Sequence, residues 1–141
     1  MKTIYSLLIL IAVITVGCGG KDKIKPSADS LLATEAINTI DAIRTSYEDK
    51  NIQGLQNRTD ITSVENHPDL NFETAKLTFT TRLVRITEEF VIVNLSWQGT
   101  WHTSGERNLE NRGVADLVLQ RKTMKLTGIE GDNPFLVPME K

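Results

Sequence analysis

The chain has a single cysteine, Cys18, and only two histidines, His67 and His102, among its 141 residues. One thiol cannot close an internal disulfide, and without a second cysteine it cannot join a thiolate zinc site. The two histidines are far apart and carry no ligand spacing, so each reads as an exposed loop or strand-end residue, and neither a metal nor another cofactor is expected. Long hydrophobic runs are also scarce. Only Ile4 to Val16 is uncharged and mostly aliphatic, which is shorter than the about twenty residues a spanning helix needs. Basic runs are absent beyond Arg121-Lys122, and 16 basic against 18 acidic residues give a net charge of −2. An electrostatic phosphate-binding face is therefore excluded, and with it nucleic acid as a partner. No internal repeat and no second apolar span is present.

What is there begins with "LILIAVITVGCGGKDK", Leu8 to Lys23, an apolar stretch that turns abruptly polar after the cysteine. Lys2 supplies a positive start, and the apolar run has the length of a signal-peptide core, about seven to fifteen residues. Gly17 is the slim residue a signal peptidase needs beside the scissile bond. Thr15-Val16-Gly17-Cys18 resembles the bacterial lipobox, with Thr15 standing where that box more often has Leu, Val or Ile. The alternative is a buried free thiol in a core helix. Gly19-Gly20 and the charged residues and proline behind them oppose it, because no helix continues through them. The expected organisation is thus a lipoprotein signal peptide over residues 1–17, a lipidated Cys18 with a flexible tether over 18–28, and one domain over 29–141.

Each methylene of an acyl chain such as palmitate contributes about 0.8 kcal/mol when buried in a bilayer, and two chains anchor essentially permanently. The membrane is then the first expected partner, through Cys18, and the cell envelope the expected place. Gly19 is not the Asp associated with inner-membrane retention in some Gram-negative bacteria, so by that resemblance the outer membrane is favoured where there is one. The segment "GGKDKIKPSA" is polar, and ten extended residues reach at most about 35 Å. About 120 residues remain after cleavage, enough for one domain to build its own core.

Within that domain Leu32, Ala36, Ile40, Ile43 and Tyr47 recur every three or four positions, which predicts a helix from about Ser27 to Tyr47 with Ser27 as cap and Asp29 at the positive end of its dipole. A shorter helical turn is expected around Ile52 and Leu55, capped by Asn51. Beyond Phe72 the period changes to two. Val91, Val93, Leu95, Trp97 and Trp101 share one face of a strand, and Asn94, Ser96, Gln98 and His102 the other. Ala75, Leu77 and Phe79 alternate and then shift phase to Val84 and Ile86, which predicts a bulge near Thr80-Thr81. Glu88-Glu89 should turn the chain. The polar stretch His102 to Gly113 is expected to be an exposed loop, followed by strands over Val114 to Gln120, with Asp116 outward, and Met124 to Ile129. Gly131-Asp132-Asn133-Pro134 should stop the last of them. The pattern is α+β: helices on one face of a curved antiparallel sheet of about four strands.

The long helix ending in Tyr47-Glu48-Asp49-Lys50-Asn51, the meander carrying Trp97-Gln98-Gly99-Thr100-Trp101, and the final "MKLTGIEGDNPF" together resemble the nuclear transport factor 2-like cone fold. More narrowly, they are similar to uncharacterised bacterial envelope lipoproteins of that class, whose last strand runs into an element like Gly131, Asp132, Asn133, Pro134 and Phe135. The resemblance implies a cone with a pocket between helix and sheet, and cones of this class often pair through the outer sheet face, which leaves room for a homodimer. Enzymes of this fold carry proton transfer on a polar pocket residue.

Tyr47, Trp97 and Trp101 would form an aromatic wall at the open end of the cone, with core filling as the competing reading of the tryptophans. The inner face of the second strand has no Asp or Glu, so no carboxylate base tuned by burial is apparent, and Tyr47 and His102 are the sole polar candidates. No catalytic residue is assigned. His67-Pro68-Asp69 is the tripeptide of co-chaperone J-domains, but the helical hairpin that gives it meaning is missing, so it reads as a turn. Asn57-Arg58-Thr59 and Asn94-Leu95-Ser96 match the glycosylation pattern, which a bacterial lipoprotein would not normally use. The expected function is a non-catalytic binding or interaction module holding an apolar small molecule or an envelope protein. The alternative is a small pocket enzyme of the isomerase or cyclase type.

Overall fold

The computed structural model describes residues 25–60, 68–105 and 107–139. Gly17, Cys18, most of the tether and His67 lie outside the described residues.

Helix α1 spans Ala28–Glu48. The Ser27 hydroxyl accepts from the Ser30 N–H at 3.1 Å, and Asp29 sits in the first turn, so the expected cap is formed. Ala36, Ile40, Ile43 and Tyr47 make the buried stripe. The chain leaves the helix through Lys50, whose φ of 53° is left-handed. Lys50 Nζ donates to the Phe72 carbonyl and lies 4.8 Å from the centre of the Phe72 ring. Helix α2, Ile52–Arg58, is capped by the Asn51 side chain, which accepts from the Gly54 N–H at 2.9 Å. A Cβ on Gly54 would stand 2.6 Å from Ser46 Oγ. The glycine that weakens α2 as a helix is therefore what lets it lie close on α1.

Four antiparallel strands follow in the order β1-β2-β3-β4: Thr74–Ile86, Phe90–Thr103, Arg107–Gln120 and Leu126–Gly131. The period-two face of β2 is buried as expected, with Val91, Val93, Leu95, Trp97 and Trp101 all inward. The β1–β2 register shifts between Thr81 and Leu83, so Arg82 is the extra residue, next to the expected position.

The stretch from His102 to Gly113 differs from the expectation. It is not a loop: β2 runs to Thr103, β3 starts at Arg107, and Trp101 pairs with Leu109. The reason is physical. This end of the hairpin carries exposed residues such as His102, Asn108, Glu110, Asn111 and Arg112, so its composition is polar while its backbone stays paired. The last strand begins at Leu126, after a turn in which Met124 takes a φ of 51°.

The core lies between α1 and the inner sheet face. Beyond β4 the Asn133 carboxamide accepts from the Phe135 N–H at 2.9 Å, and Phe135 enters the core 1% exposed. Burying a side chain of that size contributes about 1.5–3 kcal/mol. Both sheet edges receive partial cover. Asp60 N–H donates to the Leu126 carbonyl at 2.8 Å, and Thr59 bridges Leu126 in parallel along β4. On β1, Glu48 Oε1 accepts from the Leu77 N–H at 2.6 Å, and Arg44 donates to the Leu77 carbonyl at 3.4 Å.

Candidate functional site

Tyr47 projects from the last turn of α1 onto β2 and meets Trp101, whose indole Nε1 donates to the Tyr47 hydroxyl at 2.9 Å. Both residues are 0% exposed. Rings close around them: the Tyr47 ring centre lies 5.0 Å from Phe72 and 5.3 Å from Phe135, and Trp97 meets Trp101 edge-on at 6.3 Å. Trp101 folds back beneath Gly99, where a Cβ would stand 2.6 Å from both Leu77 Cδ2 and Trp101 Cζ3. Burial pushes the Tyr47 hydroxyl well above its ordinary value of 10.0; the indole donor opposes this and the charge of Asp69 adds to it. A neutral phenol enclosed on every side has no path to a reactant. Tyr47 and Trp101 are thus core filling, and the expected aromatic wall does not open there.

Trp97 differs from the other two. It is 2% exposed, and its Nε1 donates to the Asp132 carbonyl at 2.8 Å, which ties the segment after β4 onto β2. It borders two clefts. One, of about 470 Å³, lies beneath the C-terminal segment and is lined by Asn111, Ile129, Asn133, Leu136 and Pro138. The other, of about 430 Å³, lies on the outer sheet face among Thr78, Thr80, Ser96, Gln98 and Arg112. His102 is exposed, on the face of β2 opposite to Trp101. The two polar candidates for proton transfer therefore do not share a cavity.

The outer sheet face is polar where the sequence places Asn94, Ser96, Gln98 and Asp116. Asp116 is its centre: Arg85 on β1 donates to one carboxylate oxygen at 2.9 Å and Asn94 on β2 to the other at 2.5 Å. Among the described residues no three His, Cys, Asp or Glu side chains gather to hold a metal ion, and no helix is long and apolar enough to cross a membrane. Sequence reasoning missed the pairing of Glu48 with Leu77 and the entry of Phe135 into the core. A carboxylate at a helix end reads as solvated, and a lone aromatic after a turn has no periodicity to mark it.

No protein-family model matches the chain, and no curated protein matches it. A solved structure does: a nuclear transport factor 2 (NTF2-like) superfamily protein from Salmonella enterica subsp. enterica serovar Typhimurium str. LT2 superposes with a TM-score of 0.62 over 76% of this chain and 94% of that one, at 9% identity. Identity that low speaks to architecture alone. Two helices laid on a curved, four-stranded antiparallel meander give this chain the nuclear transport factor 2-like cone fold.

Proposed function

We propose that the chain is a lipid-anchored protein of the cell envelope whose cone domain is a non-catalytic binding module working from its surface. Support for the anchor is in the sequence: the short apolar run, Gly17-Cys18, and the polar tether behind them. The observation that carries binding over catalysis is the sealed Tyr47–Trp101 pair. Where a pocket enzyme on this fold needs a reachable proton donor or acceptor inside the cone, this chain has a buried phenol already bonded to an indole. A partner protein in the envelope is the ligand class this packing favours, and pairing with a second copy across the outer sheet face belongs to the same proposal.

The test is membrane fractionation of the native chain against Cys18→Ala. The native chain should enter the membrane fraction, and the variant should be released or retained with its leader uncleaved. Unchanged fractionation together with an unchanged mature mass contradicts it.

A further inference from the structure

Both edges of the sheet are covered only in part, β4 at Leu126 and β1 at Leu77. Edge β4 is met by Thr59 and Asp60, and the first part of β1 by Glu48 and Arg44, whose side chains accept from and donate to the Leu77 backbone as a neighbouring strand would. Leu77 therefore points its N–H and C=O away from β2. The alternation of an antiparallel ladder directs those of Phe79 and Thr81 the same way. The bulge at Arg82 shifts the alternation by one residue, so Val84 and Ile86 continue it. The hairpin end agrees, since the Thr87 N–H is bonded inward to the Phe90 carbonyl at 2.8 Å. Among the described residues nothing pairs with the outward groups of these four.

We propose that this open edge of β1, residues 79–86, pairs with an extended acidic segment of a partner protein. The mode is strand addition, in which main-chain hydrogen bonds give affinity and side chains give selectivity. Charge decides the selectivity. Strand β1 carries Lys76, Arg82 and Arg85 and no carboxylate. Lys76 is near Glu48 and Arg85 is held by Asp116, whereas Arg82 is exposed at the bulge with no ion pair among the described residues. A second β1 would bring cations against cations, which destabilises a strand pair, while a carboxylate opposite Arg82 supports one. Bulges and charges are also how proteins guard edges against any pairing. Here they discriminate: they disfavour a basic strand and favour an acidic one.

This inference names the partner class of the binding-module reading and rests on it. The test is amide hydrogen exchange of the full chain, read by mass spectrometry over residues 79–86. The probes are a synthetic octapeptide alternating Val with Glu and the same peptide with Lys in place of Glu. The acidic peptide at saturation should slow exchange in this segment about tenfold or more while leaving β3 unchanged, and the Lys peptide should not. R82E should reverse that preference. Thr81→Pro, at an edge position whose N–H faces solvent and which tolerates proline, should abolish the protection; if that variant does not fold, R82E still decides. No protection by the acidic peptide, equal protection by both peptides, or protection that grows with protein concentration alone would overturn the proposal. Because the probes act on the purified chain, failure here leaves anchoring through Cys18 standing, and loss of anchoring leaves the pairing result standing.

Discussion

The indole N–H of Trp101 and the hydroxyl of Tyr47 meet at 2.9 Å across the interface of α1 and β2, with neither residue reaching solvent. The pair joins the helix to the sheet inside the core. Removing the acceptor leaves a buried donor without a partner, a loss of about 1–3 kcal/mol. Tyr47→Phe should lower stability by that amount in urea unfolding, and a double-mutant cycle with Trp101→Phe should return a coupling of about 0.5 kcal/mol or more. An unchanged midpoint in Tyr47→Phe would mean that the hydroxyl is hydrated and the core open.

The same burial predicts a pH dependence. The folded state holds the Tyr47 proton above the ordinary value of 10.0, so above that pH the unfolded chain releases a proton that the folded chain retains. Stability supplied by the neutral phenol is complete below pH about 10 and is lost as pH rises beyond it. Unfolding curves of the native chain and Tyr47→Phe, compared over that range, should converge. Parallel curves would contradict the enclosed phenol.

Gly99 is fixed by the ring beneath it. A methyl group there would press on Leu77 and on the Trp101 indole, both buried and unable to retreat. Gly99→Ala should cost about 1–3 kcal/mol through overpacking. Gly128→Ala is the control: its Cβ would meet nothing nearer than Val118 Cβ at 3.7 Å, and it should be neutral within about 0.5 kcal/mol.

The cone should fold without the residues that precede Ser27. Its cap at Ser27, the α1 stripe and the inner faces of β1 to β4 are all supplied from Ser27 onward. A chain beginning at Ser27 should unfold in one cooperative transition by heat or urea, and the absence of such a transition would show that the leader or lipid completes the core.

Much of this fold was legible because period and burial coincide. On α1 the spacing of Ala36, Ile40, Ile43 and Tyr47, and on β2 the alternation from Val91 to Trp101, name the core directly. The bulge was visible as a phase shift and fell one residue later, at Arg82. Legibility failed where burial does not accompany structure. Residues 108–113 are paired but mostly exposed, so they read as a loop. It failed again at the candidate site, since Trp97 and Trp101 share a face in sequence, but only the packing of Phe72 and Phe135 around Tyr47 decides that the cone is filled. Glu48 closing the edge at Leu77 depends on a contact between elements that no local pattern encodes.

Native mass spectrometry of the chain extracted in detergent from the cells that make it tests the central claim most directly, because one spectrum reports both the covalent state of the chain and what travels with it. The account predicts a chain starting at Cys18, heavier than its residues by acyl chains, carrying a protein partner and no small molecule in the cone. An unacylated chain retaining residues 1–17, or an acylated one holding a stoichiometric small molecule that Tyr47→Phe releases, would contradict it.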